Sequence, residues 1–433
     1  MAADQPSRGT AGGLRSTLFA RGSLYILAVI LRQAASLVLI TILVATISGE
    51  DFTRFGLMLS GFALLVPLLT LNIHVAPSRL YFDSDDTQVR ADLLKSSLVG
   101  AGCLGLVGVS VLLILLRVAG SWAPVSGGGT RLQFGMALVI LGMIVTQYGA
   151  AFFRIRGNAG MFLLLALGQS FGVVLGFLLI FRLTGLGMAS LVWAYVAAQT
   201  VSALFVLASS KTVLARGRVS KHEVGRSFHF AWPTAVHLVA LWGISGSGRW
   251  IGAYYLPLEE LAAFTLLTQL VMVVGGLSRA IFDTRLPEIA RGFVSPDVSK
   301  GVNLVTRTAW LAGALVLATY GGVGFLLFVL GVPIPAAYAP SLSLVLLALL
   351  ASLGDVAYLR GVQILHYSKH TKTQAMATLL SGSLVVLLSF ALVGGHGDVG
   401  LLFAVVGGLA LQALFSNGFA RYALRKPQAD IVR

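Results

Sequence analysis

The sequence predicts an all-α integral membrane protein of about twelve transmembrane helices, arranged as two pseudo-symmetric six-helix bundles around a central cavity. Three observations carry this. First, 57% of the 433 residues are hydrophobic and only 11% are charged, against about 25% charged in an ordinary soluble domain. Second, the apolar residues fall in long stretches rather than in short alternating ones, which fits helices and not a membrane β-barrel. Third, the second half of the chain repeats features of the first at a fixed offset.

The apolar stretches run over 22–47, 53–75, 93–117, 131–153, 160–183, 186–209, 228–252, 258–282, 303–332, 338–365, 371–394 and 398–424. Each reaches the roughly 20 residues a helix needs to cross a bilayer. Pro67, Pro233 and the glycine run Gly321-Gly322-Val323-Gly324 interrupt some of them, as membrane helices tolerate. The organisation expected is a tail over 1–21, a six-helix bundle over 22–209, a basic linker over 210–227, a second bundle over 228–424 and a tail over 425–433. The first stretch is too long for a signal-peptide core and reads as the first helix. Loops are short; the longest on the outer side, around Ser121 to Thr130, is rich in glycine.

Charge sets the expected orientation. With the N-terminus in the cytoplasm, only Arg54, Arg117, Arg131, Arg182 and Arg249 fall on outer loops and helix ends. Lys211, Arg216, Arg218, Lys221 and Arg226 cluster on the inner side. The positive-inside rule then puts both termini in the cytoplasm. The formal net charge of +15 needs only anionic lipid headgroups beside the loops as partners, so no nucleic acid is expected. The one cysteine, Cys103, excludes an intrachain disulfide and a multi-cysteine metal site.

An offset of 209 residues relates the halves. Glu50-Asp51 falls on Glu259-Glu260, an acidic pair opening an even-numbered helix in each half, where the helix dipole favours negative charge. Pro77 and Pro287 sit near the other ends of the same helices. Six helices per half give both halves the same orientation, a parallel repeat found in transporters.

Several motifs that look chemical have blander explanations. Gly100-Ala101-Gly102-Cys103-Leu104-Gly105 matches a dinucleotide-binding pattern but lies inside a span, without the strand and helix start that pattern requires. Gly168, Gly172 and Gly176 read as a helix-packing face. Asp83-Ser84-Asp85-Asp86 has too little chain around it for a sugar-nucleotide site and reads as a solvated loop. No phosphate loop and no paired histidines suited to zinc occur, so neither enzymatic activity nor a cofactor or metal is expected.

Charged residues deep in spans are costly and usually face a cavity or a partner. Arg32, Arg249 and Arg360 are the candidate anion contacts, although Arg249 and Arg360 equally fit snorkelling to an interface. Asp355 is a candidate for coupling-ion binding or a neutraliser of one of these arginines. Asn72, His74, His237, Gln269 and Gln363 are uncharged polar candidates for the cavity. Trp232, Trp242 and Trp250 suit either sugar stacking or interfacial anchoring. Basic groups outnumber acidic ones in the spans, and the planar fork of arginine matches phosphate. A cavity of this sign suits an anionic substrate.

The segment Ile47-Ser48-Gly49-Glu50-Asp51-Phe52-Thr53-Arg54-Phe55-Gly56, the helix end Arg79-Leu80-Tyr81, Phe230-Ala231-Trp232-Pro233 and Gly248-Arg249-Trp250-Ile251-Gly252 together resemble the polysaccharide (O-antigen, Wzx-like) flippases. These belong to the multidrug/oligosaccharidyl-lipid/polysaccharide (MOP) exporter superfamily. Gly185-x-Gly187 and Asp398-x-Gly400 are further turns of the same kind. One departure stands out: Gly248 occupies the place of the acidic residue that precedes the arginine in that family. The resemblance implies a bacterial inner-membrane flippase carrying a polyprenyl-pyrophosphate-linked oligosaccharide to the outer leaflet by alternating access. Its partners would be that substrate, membrane lipids and other polysaccharide-assembly proteins, and the arginines would hold the pyrophosphate. The alternatives are a related exporter of small solutes or drugs, a lipid II flippase, or a membrane polysaccharide polymerase. A drug exporter would be expected to line its cavity with acids, and a polymerase to carry a sizeable outer loop.

Overall fold

The computed structural model describes residues 10–118, 129–294, 297–367 and 371–425; Ser121–Gly128 of the glycine-rich loop and the two chain ends lie outside the described residues. The first half forms α1 (Thr10–Thr46), α2 (Gly49–Thr70), the short α3 (Pro77–Leu80), α4 (Thr87–Val118), α5 (Gly129–Ile155), α6 (Ala159–Thr184) and α7 (Gly187–Arg216). The second half forms α8 (Lys221–Ser245), α9 (Ser247–Tyr255), α10 (Ala262–Val294), α11 (Ser299–Gly324), α12 (Leu342–Tyr367) and α13 (Thr371–Arg425).

Among the described residues, ten helices are long and apolar enough to cross a membrane. Two details relate that number to the twelve expected spans. The stretch Gln374–Leu424 is 51 residues long, and its backbone turns at Gly397 (φ 55, ψ −136), so α13 is two crossing limbs. That left-handed conformation is one a residue with a side chain adopts only with strain. The seventh crossing is α8 followed by α9, joined at Gly246. His229, Pro233 and His237 interrupt its apolar residues and keep it out of the set of strongly apolar helices.

Local sequence sets the helix ends. Ser48 accepts a hydrogen bond from Asp51 N (3.2 Å) at the start of α2, and Glu50 and Asp51 fill the first turn, where unpaired N–H groups and the dipole favour them. Asn158 caps α6, and Gly185 at φ 67 ends it. α7 continues to Arg216 and α8 begins at Lys221, so only 217–220 lies outside helix between the halves.

Each half has its own apolar core. Leu43, Phe52, Phe55, Ile140, Val173 and Leu191 belong to the first, and Phe264, Phe282, Val316, Ala348 and Leu402 to the second. Leu175, Leu179, Leu183, Val201, Leu204 and Leu387 point outwards and are 61–77% exposed; a lipid environment satisfies such side chains and water does not.

The bundles meet firmly on the face remote from the 217–220 connection, here called the far side; the face with that connection is the terminal side. There Tyr338 donates its hydroxyl to Ile47 O (2.7 Å) and packs edge-on against Phe52 at 5.3 Å. Burial and the nearby Asp51 carboxylate push the Tyr338 phenol up to about 12, so it remains a donor across the ordinary pH range. Deeper in, Trp242 donates to Ser60 O (2.9 Å), and Ser60 donates to Gly246 O (3.1 Å).

Candidate functional site

Between the bundles, charged side chains from four helices converge. Arg32 is exposed on α1 and lies within Coulombic range of Arg154 in the last turn of α5. Arg154 in turn feels Asp283 of α10, so this attraction crosses from one bundle to the other. One α-helical turn from Asp283, Arg279 reaches Asp355 of α12 at 3.5 Å. The Arg279 side chain is 50% exposed, whereas that of Asp355 is 12% exposed. Among the described residues, three cations and two carboxylates thus form one electrostatic group between the bundles, with a formal excess of one positive charge. Arg154 also lies 5.7 Å over the Phe162 ring, which packs against Tyr25 at 5.1 Å, giving this wall an aromatic shelf beside its charge.

α10 positions its share by helical period. Met272, Gly276, Arg279 and Asp283 follow a spacing of four, three and four residues and so share a face. The amide of Gln33 on α1 lies over Gly276, in the space a side chain there would take.

The sequence candidates separate into distinct places. Arg32 reaches the cleft. Arg249 does not: it is 2% exposed at the junction of α9, α10 and α2, where Thr268 Oγ1 accepts from its Nε (3.1 Å) and from one terminal nitrogen (2.8 Å). The sulfur of Met272 is its other neighbour, at 3.8–4.0 Å. Among the described residues no carboxylate pairs with it. Gly248 beside it packs against Phe264, whose ring a Cβ would meet at 3.3 Å. Arg360 faces away from the cleft, donating to Thr306 Oγ1 of α11 (3.2 Å) and Asn417 Oδ1 of α13 (2.5 Å). Of the three arginines, this structure brings Arg32 towards the Arg154–Asp283 group, while Arg249 and Arg360 point elsewhere by helical rotation. Asp355 is matched with Arg279, not with Arg32, Arg249 or Arg360.

Asn72 and His74 are buried in the wall. Asn72 donates to Thr234 Oγ1 of α8 (2.9 Å), a link between bundles. The His74 ring bridges Gln147 Oε1 (2.7 Å) and Thr70 Oγ1 (3.3 Å). Gln269 is 5% exposed with its amide nitrogen unpaired, and His237 is half-buried with Nδ1 unpaired. Gln363 is half-buried on α12. Of the tryptophans, Trp242 joins the far-side closure, whereas Trp232 is 46% exposed.

Sequence reasoning passed over Arg154, Arg279 and Asp283 because it placed them at or beyond helix ends on the inner side. The usable signal was the stripe itself: continuing the period of α10 past residue 282 puts Asp283 under Arg279 and Met272.

No protein-family model matches this sequence, and no curated protein sequence matches it. Solved structures do. An inward-facing multidrug resistance MATE family transporter of the MOP superfamily superposes with a TM-score of 0.71 at 13% identity, covering 90% of this chain and 94% of that one. The eukaryotic MATE transporter AtDTX14 gives 0.60 at 15% identity, covering 95% of this chain and 98% of that one. A Pyrococcus furiosus MOP superfamily transporter, described by the reverse polarity of its binding pocket and a different function suggested by it, gives 0.58 at 14%, with 94% and 96% covered. With two six-helix bundles matched along nearly their whole length, this chain has the fold of the MATE transporters of the MOP superfamily.

Proposed function

We propose that the protein is an alternating-access transporter of an anionic, lipid-linked substrate, best read as a flippase for a polyprenyl-pyrophosphate-linked oligosaccharide. The observation that carries this reading is the convergence of Arg32, Arg154 and Arg279 between the bundles with, among the described residues, Asp283 and Asp355 opposing them. Arginine binds phosphate oxygens through paired, charge-assisted hydrogen bonds, and a pyrophosphate offers enough acceptors for more than one arginine. The far-side contacts between bundles and the cleft of charged groups fit one end state of a rocking cycle. The positive-inside rule assigns the terminal side, and hence both chain ends, to the cytoplasm, where a substrate for outward flipping would enter.

Asp283 and Asp355 hold the arginines in place while the cleft is empty. An arriving pyrophosphate replaces the weak cross-cleft attraction between Asp283 and Arg154, which loosens one tie between bundles as the substrate binds. Arg249 has no place in this first contact; it is sealed behind Thr268 and Met272.

Export of small solutes or drugs is the second reading, favoured by the MATE structures that share the fold. The sign of the cleft separates the two, since a cationic drug gains little from three arginines.

The test is transport of a fluorescent pyrophosphate-linked oligosaccharide by the full-length protein in proteoliposomes. Arg32→Ala together with Arg154→Ala should reduce flipping at least tenfold at equal protein content, since charge-assisted bonds contribute about 1.5–3 kcal/mol each. Arg32→Lys should recover part of the activity, because an ammonium keeps the charge but loses the fork. Undiminished flipping by the double alanine variant sinks the reading, and export of a cationic dye by the wild type without any flipping favours the alternative.

A further inference from the structure

The far-side closure buries hydrogen-bond donors that lack matching acceptors. Arg249 on α9 is 2% exposed, and among the described residues its guanidinium meets one oxygen, Thr268 Oγ1. Thr265 and Gln269 flank that threonine on α10, 0% and 5% exposed. Neither the Thr265 hydroxyl nor the Gln269 amide nitrogen has a partner. Thr265, Thr268, Gln269 and Met272 follow the i, i+3, i+4, i+7 spacing of a single helix face, so these groups gather on the side of α10 that Arg249 touches. A buried donor without a partner is costly, and a buried charge without one more so.

α2 of the first bundle covers these donors. A Cβ at Gly49 would meet Ala337 and Ala262 at 2.9 and 3.1 Å. One at Gly56 would meet the Thr265 methyl group and, at 3.6 Å, Cδ of Arg249. Between those two contacts lies Thr53, itself fully buried with its hydroxyl unpaired. Rocking that parts the bundles on the far side lifts α2 from this face. On the cleft side Met272, 45% exposed, stands against the guanidinium. Arg279 lies on the same face about 16 Å along α10 from Thr268. The fold does not require the buried charge: at the 209-residue offset the counterpart of Arg249 is Ile40.

We propose that Arg249, Thr265 and Gln269 form a second oxyanion site, concealed in this state and opened to the far side when α2 lifts away, which takes the phosphate-bearing headgroup after the terminal-side arginines. The inference rests on the alternating-access reading and extends it to the state not seen here. A guanidinium, a hydroxyl and a carboxamide N–H supply charge-assisted hydrogen bonds to an oxyanion, and among the described residues no carboxylate pairs with the arginine. While the far side is closed, the unmatched charge favours opening. Once it is open, water or the headgroup satisfies the same donors. The site therefore both receives the anion and biases the rocking equilibrium.

The test follows the far-side separation of the bundles in the full-length protein in lipid nanodiscs. Leu186 and Tyr254 are exposed at the far ends of the first and second bundles. Spin labels at Leu186→Cys and Tyr254→Cys, with Cys103→Ser, report that distance by pulsed electron spin resonance. Every protein also carries Arg32→Ala and Arg154→Ala, so that the terminal-side arginines do not bind the probe. Inorganic pyrophosphate should raise the far-open fraction saturably, and chloride at equal ionic strength should not. Arg249→Met, an apolar side chain of similar length, should raise the closed-to-open ratio at least about fivefold without any anion and abolish the response. Thr265→Val with Gln269→Leu keeps the charge, should weaken the apparent affinity for pyrophosphate about tenfold, and carries the test if Arg249→Met does not fold. A short prenyl pyrophosphate should act at least as well as the inorganic anion; a response to the inorganic anion alone overturns the role in receiving the headgroup. An unchanged open fraction or an unchanged response in folded Arg249→Met overturns the proposal. So does an unchanged affinity in Thr265→Val with Gln269→Leu, or an equal response to chloride. None of these measurements needs an oligosaccharide to be flipped, so failure here and failure of the transport reading register separately.

Discussion

The two halves place the same repeat positions in opposite surroundings. At the 209-residue offset, Thr70 and His74 of the first half correspond to Arg279 and Asp283 of the second, and Thr146 corresponds to Asp355. In the second half these positions are charged and interact along the cleft. In the first half they are neutral and buried, with His74 between Thr70 and Gln147 and Thr146 donating to Gln199 Oε1 at 3.0 Å. The difference arises in the backbone. α2 ends at Thr70, and Leu71 (φ 47) and Asn72 (φ 59) both adopt the left-handed conformation, which turns the following residues into the bundle. α10 continues without such a break to Val294, so its charged residues stay on the cleft face. A repeated sequence framework thus yields one neutral, sealed wall and one charged wall.

The strongest way to break this comparison is at Gly276, which matches Pro67 at the same offset. Gly276→Val makes the Gln33 amide of α1 swing aside and should destabilise by about 1–3 kcal/mol. Pro67→Ala, which restores a backbone donor inside α2, should cost far less. Unfolding temperatures in one detergent compare the two directly, and equal losses would deny that α10 depends on close approach where α2 does not.

Next in size is Gln147, whose repeat counterpart is the apolar Val356. Gln147→Ala removes the partner of His74 Nε2 and should cost about 1–3 kcal/mol, the penalty of an unpaired buried polar group. Rescue by Gln147→Glu at low pH, where the carboxyl is neutral, would sharpen the assignment; an unperturbed Gln147→Ala protein would remove the sealed network from the account.

A gentler comparison substitutes glycine at matched positions. Leu71→Gly should be near neutral or slightly stabilising, because relief of about 1–2 kcal/mol of left-handed strain offsets the lost side-chain contact. Ala280→Gly, its counterpart in the uninterrupted α10, should destabilise by about 1 kcal/mol. Losses of similar size at both sites would mean that the α2 break is not strained.

The smallest effect is expected at the acidic pairs. Arg54 meets Glu50 at 2.5 Å and Asp51 at 3.5 Å, with side chains 26–50% exposed, while Ala263 stands at the matching place after Glu259-Glu260. Arg54→Ala should therefore change stability by less than about 1 kcal/mol and only at low salt. A larger, salt-independent loss would show that the pair carries more than surface charge.

The repeat was legible because Glu50-Asp51 and Glu259-Glu260 are polar markers in an apolar background, and such markers survive where apolar residues interchange freely. The spans were legible because a bilayer imposes one length on every helix. Arg32 was found for the same reason, being a charge too deep to be ignored. Arg249 and Arg360 look equally deep in the sequence, yet one is sealed between α9 and α10 and the other turns towards α11 and α13.

By itself, then, the sequence determined a helical membrane protein of two like halves, the approximate course of its spans, and the positive excess within them. Those properties follow from composition and period, which the bilayer reads locally. Only the tertiary structure decided which charges meet. Whether Arg154 and Arg279 share a cleft with Arg32 depends on where α2 breaks, how far α10 runs beyond its apolar stretch and how closely α1 can approach Gly276. Each of these is set by packing between helices far apart in the chain, and a rotation of a few residues along one helix moves a guanidinium from the gap between the bundles to the interior of one bundle.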